Sequence, residues 1–472
     1  MNDADIGLIG LGVMGANLAL NIADRGHKIA VFNRTRAKTD AFMASAGALA
    51  DRCVPCATLE ELVAAIKPPR PIIMMVQAGD AVDQQIGLLT PLVDKADILI
   101  DAGNANFHDT QRRFAELEPT GISYLGVGVS GGAEGARNGP SIMVGGTRDC
   151  YERVEPILTA IAARHEGDPC CDYLGSDGAG HFVKTIHNGI EYANMQMIAE
   201  IFGVLHNGYG MKPKDIGHIF DRWNNGPLKS YLIEITGKVL AADDPETGSP
   251  MVDIILDRAG QKGTGRWTAI EAQALGVPAT TIEEAVSARA LSALKNERVA
   301  AAKIYDEPAS DGYADYGVEA VKTLEHALLA AKIIAYAQGF AVMSTASTDN
   351  AWSLPFREVA RIWRAGCIIR SQFLEVIMEA YGSASVPANL LVAPNVAETV
   401  KSSIPALRRA VAMAAEHGQP VPALAAALGY FETYRRAQST ANLLQAQRDF
   451  FGEHGFERVD RDGAHHGPWV AQ

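Results

Sequence analysis

From Gly180 to Met197 the chain carries two interleaved patterns that only a helix can sort onto separate faces. Phe182, Ile186, Ile190, Ala193 and Met197 recur every three to four residues and make one apolar stripe. Lys184, His187, Asn188, Glu191 and Tyr192 make a second, polar stripe at the same period. An amphipathic helix buries one stripe and wets the other. The stripe left for water here holds an amine, an imidazole, an amide, a carboxylate and a phenol, a mixture more specific than solubility requires.

Ahead of this helix the pattern is different. Ile6–Ile9 is a short apolar run leading straight into Gly10-Leu-Gly12-Val-Met-Gly15, after which residues 17–25 read as a helix closed by Gly26. Residues 28–32 form the next apolar strand, completing a strand–helix–strand unit with GxGxxG at its turn. Glycines there allow the tight turn, the close approach of backbone to a pyrophosphate, and packing of helix on strand. Further strands are expected at 71–76, 97–100 and 122–125. The loops after them carry Gln77-Ala-Gly79, Gly103-Asn104 and Ser130-Gly131-Gly132, on the edge where open α/β sheets bind ligands. The Ser-Gly-Gly turn there suits backbone N–H contacts to an anionic group.

The end of the second strand bears on the choice of dinucleotide. A carboxylate there holds the ribose 2′-hydroxyl of NAD, but this chain has Asn33-Arg34-Thr35. Arg34 can pair with a 2′-phosphate that a carboxylate would repel, so NADP is the expected cofactor. Its contacts are assigned to Gly10, Leu11, Gly12, Val13, Met14, Gly15, Asn33, Arg34, Thr35, Val76, Gln77, Ala78 and Asn104.

After the small-residue segment 175–180 the alternation of strands stops, and the chain is expected to be helical and Ala-rich to about residue 440. That part repeats itself. Lys184-Thr with Phe202 aligns with Lys322-Thr and Phe340, Trp223 and Gly226 with Trp363 and Gly366, and Gly276-Val-Pro278 with Gly418-Gln-Pro420. Two helical units of roughly 140 residues follow from one duplication. The second copy has Glu325, His326, Leu329 and Ala330 where the first has His187, Asn188, Glu191 and Tyr192. Positions polar in the first copy alone point to chemistry, whereas Thr185 and Phe202, shared in kind, point to packing. Lys184 is present in both copies, so this comparison does not isolate it. The segment from Ala441 onward leaves the helical pattern, with Gly452 and Gly455 around His454, and is expected to dock in this subunit or a neighbour.

Composition narrows the class. The chain has 472 residues, 48% of them hydrophobic and 21% charged, which describes a folded protein of two or three domains. A net charge of −13 argues against duplex nucleic acid as partner. No apolar run is expected to span a bilayer and the start does not resemble a signal peptide, so a cytoplasmic protein without a membrane partner is expected. The six cysteines do not make a disulfide framework, and the lone Cys53-Val-Pro-Cys56 is read as packing or a turn. His465 and His466 are read as a solvated terminus, and no metal site is assigned.

Together the segments 10–18, 33–35, 128–132, 180–192, 261–265 and 445–454 resemble the long, dimeric form of the 6-phosphogluconate dehydrogenase (decarboxylating) family, over essentially the whole chain. The resemblance implies an α/β Rossmann-like N-terminal domain (1–177), a large all-α domain built from a tandem helical repeat (178–440), and a C-terminal tail (441–472) that reaches the partner subunit of a homodimer. It implies Lys184 as general base and Glu191 as general acid. It implies substrate contacts from Asn104, Ser130, Gly131, Gly132, His187, Asn188, Tyr192, Lys262 and Arg289, with Arg448 and His454 supplied by the partner's tail. The implied reaction is oxidation and decarboxylation of 6-phosphogluconate with NADP. Four positions depart from the family pattern: Gly12 replaces Ala, Gln77 replaces a Lys beside the cofactor, Ala133 replaces Glu, and Ala102 replaces Gly. A non-decarboxylating β-hydroxyacid dehydrogenase would share the nucleotide motif and Lys184 but would not need Arg448, His454 or the second repeat. A catalytically silent NADP sensor would leave Lys184 and Glu191 free to vary.

Overall fold

The computed structural model describes residues 3–261, 263–305, 317–383 and 386–469. They belong to two compact units, Met1–Ala427 and Leu428–Gln472. The first unit begins with eight strands in one sheet: β1 (Ile6–Ile9), β2 (Ile29–Phe32), β3 (Cys53–Pro55), β4 (Pro71–Met74), β5 (Ile98–Asp101), β6 (Ser123–Ser130), β7 (Ser141–Gly146) and β8 (Cys171–Gly175). Their order across the sheet is β8-β7-β6-β5-β4-β1-β2-β3. All neighbours are parallel except β6 and β7, which pair antiparallel. β1, β4 and β5 are buried along their whole length, as expected of strands covered on both faces. β1 lies between β2 and β4, so the connections from its end diverge there and leave a crevice.

Three details differ from the sequence reading. The strand expected at 122–125 runs on to Ser130, because Gly126 and Gly128 stand inside it. Ser130 therefore closes a strand and does not sit in a free loop. The first helix starts at Val13, earlier than residue 17, since Gly15 packs directly on the Gly10 carbonyl. β3, β7 and β8 were not anticipated; each ends in a Gly or Pro, which weakens the strand signal.

The helices repeat in order. The site helix (Ala179–Gly203) is followed by Pro213–Trp223, Tyr231–Leu240, Thr264–Ala274 and Thr280–Ala293. The twin helix (Val318–Asp349) is followed by Phe356–Ile362, Phe373–Gly382, Pro394–Glu416 and Pro422–Tyr434. Corresponding turns of the two series bond to each other: Ser230 bridges Ser371 antiparallel, the Tyr231 N–H donates to Arg370 O at 3.1 Å, and the Gln372 N–H donates to Lys229 O at 3.0 Å. Site and twin helices touch where Gly339 leaves no room for a β-carbon beside Ile190. Thr185 is buried as expected, but Phe202 is only half-buried and stacks on His206.

The twin helix corrects one expectation: by length and composition it could cross a bilayer, yet most of its apolar stretch is buried inside this protein. Over that stretch it is a core helix. Two polar residues are buried in it: Gln338, whose Oε1 accepts from the Thr281 N–H at 3.1 Å, and Lys332. Lys332 is buried, its Nζ has no hydrogen-bond partner, and burial pushes its pKa down to about 7. An unpaired amine in such a place opposes folding, because the unfolded chain binds the proton more readily. The cost is complete below about pH 7 and fades as pH rises toward the ordinary lysine range. Lys332→Met should therefore raise the thermal midpoint at pH 7 by several degrees. Its advantage over wild type should shrink between pH 7 and 10 in parallel calorimetric melts, and a constant gap would contradict the account.

Candidate active site and dinucleotide cleft

The site helix lies on the backbone of the sheet with almost nothing between. A β-carbon on Gly180 would come within 2.5 Å of Gly126 O, Gly145 N and Met143 O. One on Gly128 would stand 2.5 Å from the Lys184 β-carbon. Glycine at 126, 128, 145 and 180 thus lets the helix settle where its side chains meet the ends of β6 and β7. His181 adds a lateral tie, its Nδ1 lying 2.7 Å from Thr110 Oγ1.

This seating buries the polar stripe as well as the apolar one. Lys184, His187, Asn188 and Tyr192 are all buried and Glu191 is nearly so. They are joined by hydrogen bonds. Lys184 Nζ donates to Asn188 Oδ1 at 2.9 Å, His187 Nδ1 lies 3.2 Å from the same oxygen, and Ser130 Oγ lies 3.3 Å from His187 Nε2. The amide oxygen can only accept, so Nδ1 carries the proton and Nε2 is free to accept from the Ser130 hydroxyl. A neutral imidazole follows, because burial and then the neighbouring Lys184 push the His187 pKa well down. Burial also lowers the Lys184 pKa, against the pull of Glu191 and Cys367. Burial raises that of Glu191, against Lys184 and Arg289. Amine and carboxylic acid are thus both shifted toward their uncharged forms, the condition in which one accepts and the other gives a proton near neutrality.

The second repeat completes the walls. Gly131, at φ +113°, has no space for a side chain against Gly366 O, which also accepts from the Ser141 N–H at 2.8 Å. Trp363 meets the His187 ring edge-on at 5.5 Å. Cys367 neighbours Lys184, and burial pushes its thiol up to about 12. Sequence reasoning matched Trp363 and Gly366 to the first copy as packing and did not single out Cys367. The Trp recurrence was the available signal, but nothing in one sequence says which copy faces the other's polar stripe. On the far side the Arg289 guanidinium lies 3.5 Å over the Tyr192 ring, and that ring presses on Gly265.

A cleft of about 350 Å³ opens at the ends of β1, β2 and β4. Gly10, Gly12, Asn33, Arg34, Thr35, Val76 and Gln77 line it, together with Lys38 and the helix face Ala81, Gln84, Gln85 and Leu88. Leu11, Val13, Met14, Gly15, Ala78 and Asn104 lie outside that lining. The three fingerprint glycines divide their tasks. Gly10 and Gly15 have no room for a β-carbon, whereas one on Gly12 would meet nothing within 4 Å. That open space would admit a pyrophosphate, and the Ala usual in the family would fit there too. Asn33 Oδ1 accepts from the Leu11 N–H at 3.0 Å and its Nδ2 donates to Thr35 O at 3.1 Å, tying the glycine turn to the Arg34 turn. The lining holds two cations, Arg34 and Lys38, and no carboxylate. These residues fit a dinucleotide bearing a 2′-phosphate.

The structure brings Ser130, Lys184, His187, Asn188, Glu191, Tyr192 and Arg289 together. Asn104 is exposed next to the Asp101–Gly103 hydrogen bond, and Gly132 is exposed at φ +63°. Lys262 lies outside the described residues. Arg448 and His454 belong to the C-terminal unit, where Ala441–Gly452 is a helix, contrary to the expected break at 441. That unit is organised around Asp449, fully enclosed, which accepts from the Gly455 and Gly467 N–H groups, His466 Nδ1 and Trp469 Nε1 at 2.7–2.9 Å. Burial alone would raise its pKa, but these donors hold it at about 2. His465 and His466 are consequently parts of a built turn, with Phe456–Glu457 paired to Ala464–His465, while His466 stays exposed to solvent as expected. Cys53 and Cys56 are buried, unbridged, and pushed up to about 11 by burial.

Two glycine substitutions separate close packing from open space. Gly128→Ala should destabilise the protein by about 1–3 kcal/mol in denaturant unfolding, since the Lys184 stem must move. Gly12→Ala should stay within about 0.5 kcal/mol of wild type. Equal effects would refute the assigned seating of the helix.

The whole chain matches known families and proteins. Residues 5–175 match the NAD binding domain of 6-phosphogluconate dehydrogenase, and residues 180–469 match the 6-phosphogluconate dehydrogenase C-terminal domain. The NADP(+)-dependent, decarboxylating 6-phosphogluconate dehydrogenase of Bacillus subtilis is 47% identical over 470 residues, covering 100% of both chains. The NAD(+)-dependent enzyme of the same organism is also 47% identical, covering 98% of this chain and 99% of the relative. The Plasmodium falciparum 6-phosphogluconate dehydrogenase, solved in apo form and in complex with NADP+ and with 6-phosphogluconate, superposes with a TM-score of 0.95 at 39% identity, covering 98% of this chain and 100% of that one. With the glycine-seated helix, the buried polar row and both halves of the chain matched at full length, this protein belongs to the 6-phosphogluconate dehydrogenase family.

Proposed function

We propose that the protein oxidises and decarboxylates 6-phosphogluconate to ribulose 5-phosphate and CO₂, with NADP as oxidant. The observation that carries this reading is the buried row Ser130–His187–Asn188–Lys184, with Glu191 one turn further along the same face. A silent sensor would not need an amine and a carboxyl both shifted toward neutrality on one helix face. Overall identity does not choose the cofactor, since NADP- and NAD-dependent relatives match equally well. The choice rests on Arg34, Thr35 and Lys38 in a cleft lined by no carboxylate. When bound there, NADP accepts a hydride from C3 of the substrate.

Lys184 in its neutral form removes the proton from the C3 hydroxyl as that hydride leaves. Asn188 holds the amine in place, and its oxygen is shared with His187, which orients Ser130 toward the substrate. The oxidised substrate is a β-keto acid, whose carbonyl takes up the electrons released with CO₂. Glu191, whose pKa burial raises, then gives its proton to the enediol carbon. The substrate phosphate is assigned to Lys262, Arg289 and Arg448, since cations offset the desolvation of a dianion. Arg448 and His454 act on the partner subunit's site in a homodimer, their tail held in shape by Asp449. The domain division at 177 and 440, and a cytoplasmic location, belong to the same reading.

Incubation with NADP+ and 6-phosphogluconate should give nicotinamide absorbance and CO₂ in equal amounts, and absorbance without CO₂ would favour a non-decarboxylating dehydrogenase. Lys184→Met should lower kcat by roughly 10²–10⁴-fold while cofactor still binds; near-normal oxidation would remove Lys184 as base. kcat/KM should fall on the acid side as Lys184 takes up its proton. Asp449→Ala should raise KM for 6-phosphogluconate by roughly ten- to a hundredfold with the Kd of NADP+ unchanged. An unchanged KM would sever the tail from the site.

A further inference from the structure

Two loops leave neighbouring strands on the ligand edge of the sheet. The loop after β4 lines the dinucleotide cleft through Val76 and Gln77 and ends at Gly79, the cap of the helix Asp80–Leu89. The loop after β5 carries Gly103 and Asn104. They touch: a β-carbon on Gly103 would stand 3.2 Å from Val76 O and 3.2 Å from Asp101 Oδ1. One side chain reaches behind both. Arg113, on the helix Phe107–Leu117, is almost completely enclosed. Its Nε and Nη2 donate to the two Asp83 carboxylate oxygens at 2.8 and 2.9 Å, and Nη2 also donates to Gly79 O at 3.0 Å. On the other side Arg113 Nη1 pairs with Asp101 Oδ2 at 3.5 Å.

Asp101 closes β5 and is fully buried. Its Oδ1 accepts from the Gly103 N–H at 3.0 Å, and its Oδ2 accepts from the Tyr124 hydroxyl at 3.1 Å. A single guanidinium thus spans from the cap of the helix behind the cofactor loop to the carboxylate that shapes the Gly103–Asn104 turn. A planar fork held at two ends resists shear between them, which a single-point ammonium does not. Arg113 holds the Asp83 carboxyl down at about 2, so this fork stays charged at neutral pH. Neither Arg113 nor Asp101 meets solvent, so water does not replace a lost partner. Resting on the NADP and 6-phosphogluconate reading above, we infer that Arg113 is a positioning residue, a strut that sets the spacing between the loop holding the dinucleotide and the loop that presents Asn104 to the substrate. Each loop binds its own ligand without the strut. What the strut supplies is the distance between the two ligands, on which hydride transfer depends steeply.

Single-turnover stopped flow on the full-length protein tests this, with enzyme and NADP+ in excess over 6-phosphogluconate and nicotinamide absorbance as the signal. The rate constant so obtained does not depend on what fraction of the protein is folded, so a merely structural role would leave it unchanged. Arg113→Lys keeps the charge and removes the fork; it should lower that rate constant roughly ten- to a hundredfold. The Kd values of NADP+ and of 6-phosphogluconate, titrated separately by calorimetry, should stay within about threefold of wild type. Tyr124→Phe, which frees one side of Asp101, should lower the same rate constant by a smaller factor. An unchanged rate constant in Arg113→Lys would overturn the strut, as would a fall accompanied by an equal loss of either affinity. Should Arg113→Lys fail to fold, Tyr124→Phe decides, and a wild-type rate constant there overturns the proposal. Absence of any absorbance change with wild type would instead remove the reading of the reaction on which the proposal rests.

Discussion

Everything in this protein's site follows from one contact made without side chains. The site helix crosses β6 and β7 where Gly126, Gly128, Gly145 and Gly180 bring backbone against backbone. A helix packed on a sheet through ordinary residues stands off by the thickness of those residues. Here that layer is missing, and Lys184 crosses β6 with its stem against the Gly128 α-carbon. Its amine, the His187 ring and Ser130 then join through Asn188 in one hydrogen-bonded row. The same intimacy excludes water, and exclusion of water shifts the lysine, the histidine and the glutamate away from their charged forms. Position and protonation are two results of the same packing.

Much of this was legible in the sequence. The glycine fingerprint, the missing carboxylate after β2 and the polar stripe on the site helix are local patterns, and local patterns survive in a linear string. The degree of burial was not legible. A stripe of Lys, His, Asn, Glu and Tyr reads as a wet face until its covering is known, and the covering comes from Trp363, Gly366 and Cys367, about 180 residues downstream. The strand ending at Ser130 was cut short for a related reason, since glycines that weaken strand propensity are the ones that admit the helix. The Asp449 knot was hidden because its four donors are backbone amides, one histidine and one tryptophan with no periodic signature.

The twin helix shows a second limit of composition. Its length and apolarity alone would permit a membrane span, and only its surroundings show it to be the core around which both helical series pack. Lys332 sits in that core without a partner. The fold tolerates one such group because the surrounding apolar burial is large, and the group reports on the tightness of that burial through its shifted protonation.

The two copies of the helical unit have taken unequal duties on shared geometry. Their equivalent turns still bond to each other through Ser230 and Ser371, as structural equals. Their surfaces have diverged: the first copy holds the proton-transferring row, and the second presses a tryptophan and a glycine carbonyl against it. A duplication of this kind frees one half to specialise but does not free it to wander. Any substitution that shifts the Trp363–Gly366 turn also moves the floor under Ser130 and Gly131. The half without the reactive row is therefore held to its position by packing as strictly as the half that carries it.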